Sequence, residues 1–231
     1  MYAAGYNDNP EVLRALLGIG AKINIRDMDG ATPLIWAATH NENPDIACLL
    51  ISNGASVNAK NNLAETPLMY AAGYNDNPEV IQALLSAGAE INTRDMDGAT
   101  PLVWAAVRNE NPEIIRVLVD AGAWVDETNN SGLTSLMLAA SNNKNPGVIQ
   151  VLIKVGANLE RTDQNGLTPL MYAAGFNSAP EIVETLIQAG ARFNVITKNG
   201  LTPLMLAAMV NENPEVIRVL IAGGIFLIRK T

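Results

Sequence analysis

One phrase recurs in this chain at a fixed interval. Thr-Pro-Leu stands at Thr32, Thr66, Thr100, Thr168 and Thr202, and Thr-Ser-Leu at Thr134; each is followed, after two intervening residues, by Ala-Ala. Every one of these threonines lies 34 residues beyond the last. A period of that size marks a stacked-repeat protein, in which each unit contacts mainly its neighbours. The 231 residues therefore read as one elongated domain of about seven similar units. Residues 1–29 form a partial unit, full units follow at 30–63, 64–97, 98–131, 132–165 and 166–199, and a last unit covers 200–231.

One unit shows why the pattern folds. Asp97-Gly98 marks a turn, and Thr100 then caps a helix with Pro101 at its first position, where a missing N–H costs nothing. Leu102, Ala105 and Ala106 give that helix a small apolar face. Asn109 stands where glycine usually ends such a helix, and a left-handed asparagine is expected there. Asn111-Pro112-Glu113 repeats the start signal for a second helix, expected from Glu113 to about Ala121, with Gly122 stopping it. The arm Ala123–Thr128 is extended and leads to the next turn. Two units depart from this plan: Ala64 replaces the turn glycine, and Ser178-Ala179-Pro180 replaces the Asn-Pro start.

This unit resembles the ankyrin repeat, whose pattern includes Thr-Pro-Leu-His-x-Ala over 33 residues. The likeness spans essentially the whole chain and includes the Gly-Ala-x-Val/Ile-Asn arms at Gly54–Asn58 and Gly88–Asn92. It implies an all-α ankyrin-repeat solenoid of stacked helix-turn-helix units, with turn or hairpin tips along one edge. Two departures stand out. The family histidine is replaced by Ile35, Met69, Val103, Met137, Met171 and Met205, so polar bridging between units must be done otherwise. The inter-helix loop, Asn-x-Asn-Pro-Glu, is one residue longer.

Charge and residue type limit the chemistry. With 15 Lys+Arg against 23 Asp+Glu, the net charge of −8 argues against binding a phosphate backbone. No apolar run approaches the ~20 residues of a membrane span. His40 is the only histidine, so neither a Ser-His-Asp system nor a His-rich metal site can be assembled repeatedly. Cys48, the only cysteine, shares its register with Arg14, Gln82, Arg116, Gln150, Glu184 and Arg218, a polar outer face without an activating partner. A single thiol fits a reducing, intracellular (cytoplasmic) compartment. Asp27-Met28-Asp29-Gly30 and Asp95-Met96-Asp97-Gly98 lack the further ligands of a calcium loop and read as turn tips. No catalytic residue, metal or cofactor is expected, and the chain reads as a non-enzyme.

The family resemblance implies an unidentified protein partner on a concave face of turn tips and first helices. The residue two after each Ala-Ala falls on that face: Tyr6, His40, Tyr74, Arg108, Asn142, Phe176 and Val210. This register varies while its flanks repeat, and it is rich in residue types that dominate interfaces. Met28, Asp29, Met96, Asp97, Gln164 and Lys198 are the flanking tips. The alternative is that Tyr6, Tyr74 and Phe176 simply lie over the adjacent helix. Trp36, Tyr70, Trp104 and Tyr172 are expected in the inner-helix core. The resemblance also matches Asn24, Asn58, Asn92 and Asn194 to a position hydroxylated in some eukaryotic ankyrin repeats.

Met1–Pro10 recurs letter for letter at Met69–Pro78, as expected of a piece of a longer array. Over Met1–Leu34 and Met69–Leu102 the two copies differ only at Leu13/Ile81, Arg14/Gln82, Gly18/Ser86, Ile19/Ala87, Lys22/Glu90 and Ile25/Thr93, which points to growth by duplication of pairs. The last unit ends in the apolar run Ile225–Ile228. A monomer is expected. End-to-end stacking is the structural alternative, and a binding module of a larger enzyme or effector is another.

Overall fold

The fold was described from a computed structural model that covers the backbone of residues 1–228 and the side chains of residues 1–224. The Ile225–Ile228 side chains fall outside that range. The described residues contain fourteen helices and no strand. They are α1 (Tyr2–Tyr6), α2 (Pro10–Gly18), α3 (Pro33–His40), α4 (Pro44–Ser52), α5 (Pro67–Tyr74), α6 (Pro78–Ser86), α7 (Pro101–Arg108), α8 (Pro112–Asp120), α9 (Ser135–Asn142), α10 (Pro146–Lys154), α11 (Pro169–Phe176), α12 (Pro180–Gln188), α13 (Pro203–Val210) and α14 (Pro214–Ile228). They belong to two compact units, Met1–Trp124 and Val125–Thr231. Within each unit, first helices pack on first helices and second helices on second helices.

Local signals place most helix ends. The Thr32, Thr66, Thr100, Thr134, Thr168 and Thr202 hydroxyls each accept from the N–H three residues on, with proline at the first helical position in all but α9. In α9, Ser135 takes the proline's place, and its hydroxyl donates to the Val125 carbonyl at 2.8 Å. The second helix of the type unit begins and ends one residue earlier than expected, at Pro112–Asp120. The turn that lacks glycine keeps its shape, because Ala64 itself adopts φ 62°.

The asparagine that ends each first helix corrects the sequence expectation. Asn109 is extended, at φ −98° and ψ 131°, not left-handed. Its side chain determines this, because it is buried and spent on the preceding repeat. Asn109 Nδ2 donates to the Ala72 carbonyl at 3.1 Å and the Asn75 carbonyl at 3.0 Å, while its Oδ1 accepts from Asn111 N at 2.8 Å. Asn75 does the same to Ala38 and Asn41, and Asn41 to Ala4 and Asn7. In the second unit Asn177 reaches Ala140 and Asn143, and Asn211 reaches Ala174 and Asn177.

The next asparagine but one makes a parallel rung. Asn43, Asn77 and Asn111 donate to the Asp8, Glu42 and Asp76 carbonyls, all at 2.8 Å, and cap their own second helices. The longer Asn-x-Asn loop thus supplies the bridging that the missing histidine leaves undone. Ile35, Met69, Val103, Met137 and Met171, which replace that histidine, are buried in the apolar layer; Met205 is exposed. Leu34, Ala37, Ala38, Ile46 and Leu50 show how one repeat fills that layer.

Two substitutions test the ladder. Asn75→Ala orphans two buried carbonyls and one N–H, and is expected to cost ~3 kcal/mol in urea denaturation, since each unmet buried group costs about 1–3 kcal/mol. Ala179 caps α12 with no side-chain bond, at φ −90° and ψ 107°, the same backbone as Asn77 and Asn145. Ala179→Asn is expected to raise stability by ~1 kcal/mol by restoring a cap.

Candidate functional site

Four turns in this protein are fastened to the helix that follows them. Asp27 Oδ1 accepts from the Asp29 and Ala31 amides at 3.0 and 2.8 Å, and its Oδ2 accepts from Trp36 Nε1 at 2.8 Å. Asp95 repeats this with Asp97, Ala99 and Trp104. In the second unit Asp163 accepts from the Asn165 and Leu167 amides and from the Tyr172 hydroxyl at 3.0 Å. At the remaining aromatic turn, Tyr70 donates to Glu65 Oε2 at 2.7 Å, and Asn61 Nδ2 donates to both Glu65 and Tyr70. These bonds fix ring orientation at the edge of the turn.

This corrects the expectation for the inner aromatics. Trp104 is buried, but Trp36, Tyr70 and Tyr172 are only half-buried, because their polar ends must reach the turn. Their rings therefore join the outer face. Tyr2, Tyr6, Trp36 and His40 form one cluster, with Tyr6 stacked on His40 at 4.9 Å and Tyr2 against Trp36 at 5.4 Å. Tyr70, Tyr74, Trp104 and Arg108 form another, with Tyr70 5.3 Å from Trp104 and the Arg108 guanidinium 4.0 Å above the Trp104 ring. In the second unit Tyr172 lies 5.9 Å from Phe176. The signal that sequence reading missed is a spacing of nine residues, Asp27 to Trp36, Asp95 to Trp104 and Asp163 to Tyr172.

The variable register is exposed at every position: Tyr6, His40, Tyr74 and Arg108 in the first unit, and Asn142, Phe176 and Val210 in the second. The structure joins Tyr6 to His40, Tyr74 to Arg108, and Phe176 with Val210 around one cleft. Asn142 turns its amide back to the Leu138 carbonyl. The tips Met28, Asp29, Met96, Asp97, Gln164 and Lys198 are exposed. Asp29 shares a small cavity with Trp36 and His40. The glycines beside the tyrosines serve the neighbouring repeat. A Cβ on Gly73 would stand 3.1 Å from the Trp104 ring, and one on Gly5 3.5 Å from that of Trp36.

Asn24, Asn58 and Asn92 have both ends of their carboxamides engaged. Each donates to a glycine carbonyl of the following repeat, at Gly54, Gly88 and Gly122, and accepts an amide from the same arm. Cys48 is exposed and free. Among the described residues no cluster of three or more His, Cys, Asp or Glu is placed to hold a metal ion. No helix among them is long and apolar enough to cross a membrane.

Titration follows from these contacts. Desolvation raises the Asp27 carboxyl, but donation from the Trp36 indole and the Ala31 and Asp29 amides outweighs it, and the net shift is below the usual 3.8. This contribution is present above the unfolded carboxyl value and is lost as pH falls through the lowered folded one. Burial, then hydrogen bonding and the charge of Glu65 or Asp163, push the Tyr70 and Tyr172 phenols up. Their contribution is present below the ordinary phenol value near 10 and is lost as pH rises beyond it. The double variant Tyr70→Phe, Tyr172→Phe should lose the late component of the 295 nm absorbance titration and show a flatter alkaline loss of stability. Asp27→Asn should flatten the acid limb below about pH 4.

Comparison with known proteins sets this geometry among its relatives. The family model described as ankyrin repeats (3 copies) matches residues 1–95, 68–163 and 136–230. Among solved structures, the crystal structure of the human ASB11 ankyrin repeat domain is similar at 23% identity. It covers 96% of this chain and 95% of that one, with a TM-score of 0.80. At that identity the likeness concerns the fold. No curated protein matches.

Proposed function

The chain belongs to the ankyrin-repeat family, and from that premise we propose that it binds a partner protein through the face formed by its turn tips and first helices. Ankyrin repeats are in general protein-interaction modules, and the fold is typically a non-catalytic scaffold. The contact residues proposed here are Tyr6, His40, Tyr74, Arg108, Asn142 and Phe176, with Met28, Asp29, Met96, Asp97, Gln164 and Lys198 at the rim.

One observation carries this reading. Tyr6, Tyr74 and Phe176 are each more than half or about half exposed, at 59%, 50% and 53%, although the other residues of α5 and α11 are buried or half-buried. Large aromatic rings held in place by rigid neighbours bind at low entropic cost, and such residues dominate interface energetics. Because they rest on neighbouring rings rather than beneath them, they remain available for contact.

A second reading rests on α13, where Leu204, Met205 and Met209 are exposed although the equivalent Leu170 and Met171 are fully buried. Self-association through that face would make the sedimentation mass rise with protein concentration, while the binding reading predicts a constant monomer mass.

The direct test is capture from lysate followed by mass spectrometry, comparing wild type with the triple variant Tyr6→Ser, Tyr74→Ser, Phe176→Ser. A specific partner retained by the wild type should be lost by the variant with the helical circular dichroism unchanged. Loss of even one central aromatic costs about 2 kcal/mol, or roughly thirtyfold in affinity. Equal capture by both proteins would overturn the proposal.

A further inference from the structure

Deepening that reading, we propose that a cavity beside Trp36 receives the cationic side chain, lysine or arginine, of the partner. The cavity, of about 140 Å³, lies between the Asp27–Asp29 turn, α3 and α5, and its walls include Asp27, Asp29, Trp36, Thr39, His40 and Tyr70. No lysine or arginine lines it.

The walls are built for a cation on an apolar stem. Trp36 is fixed by its indole bond to Asp27, and Tyr70 by its bonds to Glu65 and Asn61, so neither ring can swing aside without breaking hydrogen bonds. Asp27 spends its oxygens on the turn and on Trp36. The exposed Asp29 carboxylate accepts no hydrogen bond from any described residue, and its charge is felt at Tyr70. An unpaired carboxylate beside two fixed π-faces attracts a positive charge and disfavours a negative one. The chain's net charge of −8 favours a basic partner in the same sense.

The duplicated copy supplies an independent observation. Asp27–Leu34 and Asp95–Leu102 are identical, and Trp104 is fastened to Asp95 as Trp36 is to Asp27. There the protein places its own cation on the tryptophan, the Arg108 guanidinium 4.0 Å from the Trp104 ring and 5.6 Å from that of Tyr74. A tryptophan held by this turn therefore accepts a cation within the molecule. At the first copy the equivalent residue is His40, stacked on Tyr6, and the cavity beyond Trp36 stays open.

The test is an NMR titration of the full chain with three capped tripeptides, Ac-Ala-X-Ala-amide, where X is lysine, arginine or the neutral isostere norleucine. The Trp36 indole signal is assigned by its absence in Trp36→Phe, and the Trp104 indole serves as the internal control. The expected result is a saturable Trp36 shift with lysine or arginine and none with norleucine, with Asp29→Asn weakening the response roughly threefold or more. Equal response to norleucine, no saturable response to any peptide, or an unchanged response in Asp29→Asn would overturn the proposal. The inference rests on the partner-binding reading, yet the two fail separately. A partner captured through the aromatic register with no lysine or arginine response sinks the cavity alone, and a charge-selective response with equal capture by wild type and triple variant sinks the register alone.

Discussion

The asparagine at the end of the first helix, buried at Asn41, Asn75, Asn109, Asn143 and Asn177, is the interaction on which the rest of the structure depends. One carboxamide joins three backbone groups: two carbonyls of the preceding repeat and the amide that opens the next helix. Repeat proteins derive stability from each unit and its contact with its neighbour. Apolar burial supplies most of that contact but little direction. The asparagine supplies direction, because a one-residue slip would leave several buried polar groups unmet. Within each compact unit it sets the register at which Leu68 or Leu170 meets the helix behind it.

That arrangement has a consequence for function. Since the inter-repeat bonds are made at the loop between helices, the positions usually given to a bridging histidine could become apolar, as Met69 and Met171 have. The variable register lies apart from these positions, on the exposed side of the first helix. It carries residues as different as His40, Tyr74, Arg108 and Asn142 at equivalent places. The turn carboxylates do the complementary work, since Asp27 and Asp95 hold a tryptophan edge-on to the turn and give the face rigid walls.

Much of the fold was legible because its signals are local. A threonine before Pro-Leu can do little except cap a helix, and Ala64 in a glycine position had to adopt the turn's own backbone. Asn109 was misread for the opposite reason. Local rules assign asparagine to a left-handed cap, but its actual partners lie 34 and 37 residues upstream, where only the stacked structure brings them near. Trp36 and Tyr70 were misplaced in the core because apolarity was weighed and the ends of their side chains were not. The spacing of nine from Asp27 to Trp36 would have shown the tie to the turn. The exposed register was legible because it varies against a repeating background. The cavity beside it was less so, since Asp29, Trp36 and Tyr70 close it across two repeats.

The central claim is a division of labour between adjacent residues: Asn75 holds the stack and Tyr74 faces outward. It is tested most directly by the urea midpoints of Tyr74→Ala and Asn75→Ala, measured side by side. The account predicts that the asparagine variant loses at least ~2 kcal/mol more than the tyrosine variant, the cost of orphaning buried groups against that of trimming a half-exposed ring. Equal losses, or a larger one at Tyr74, would mean that the register is packing and that the ladder does not carry the fold.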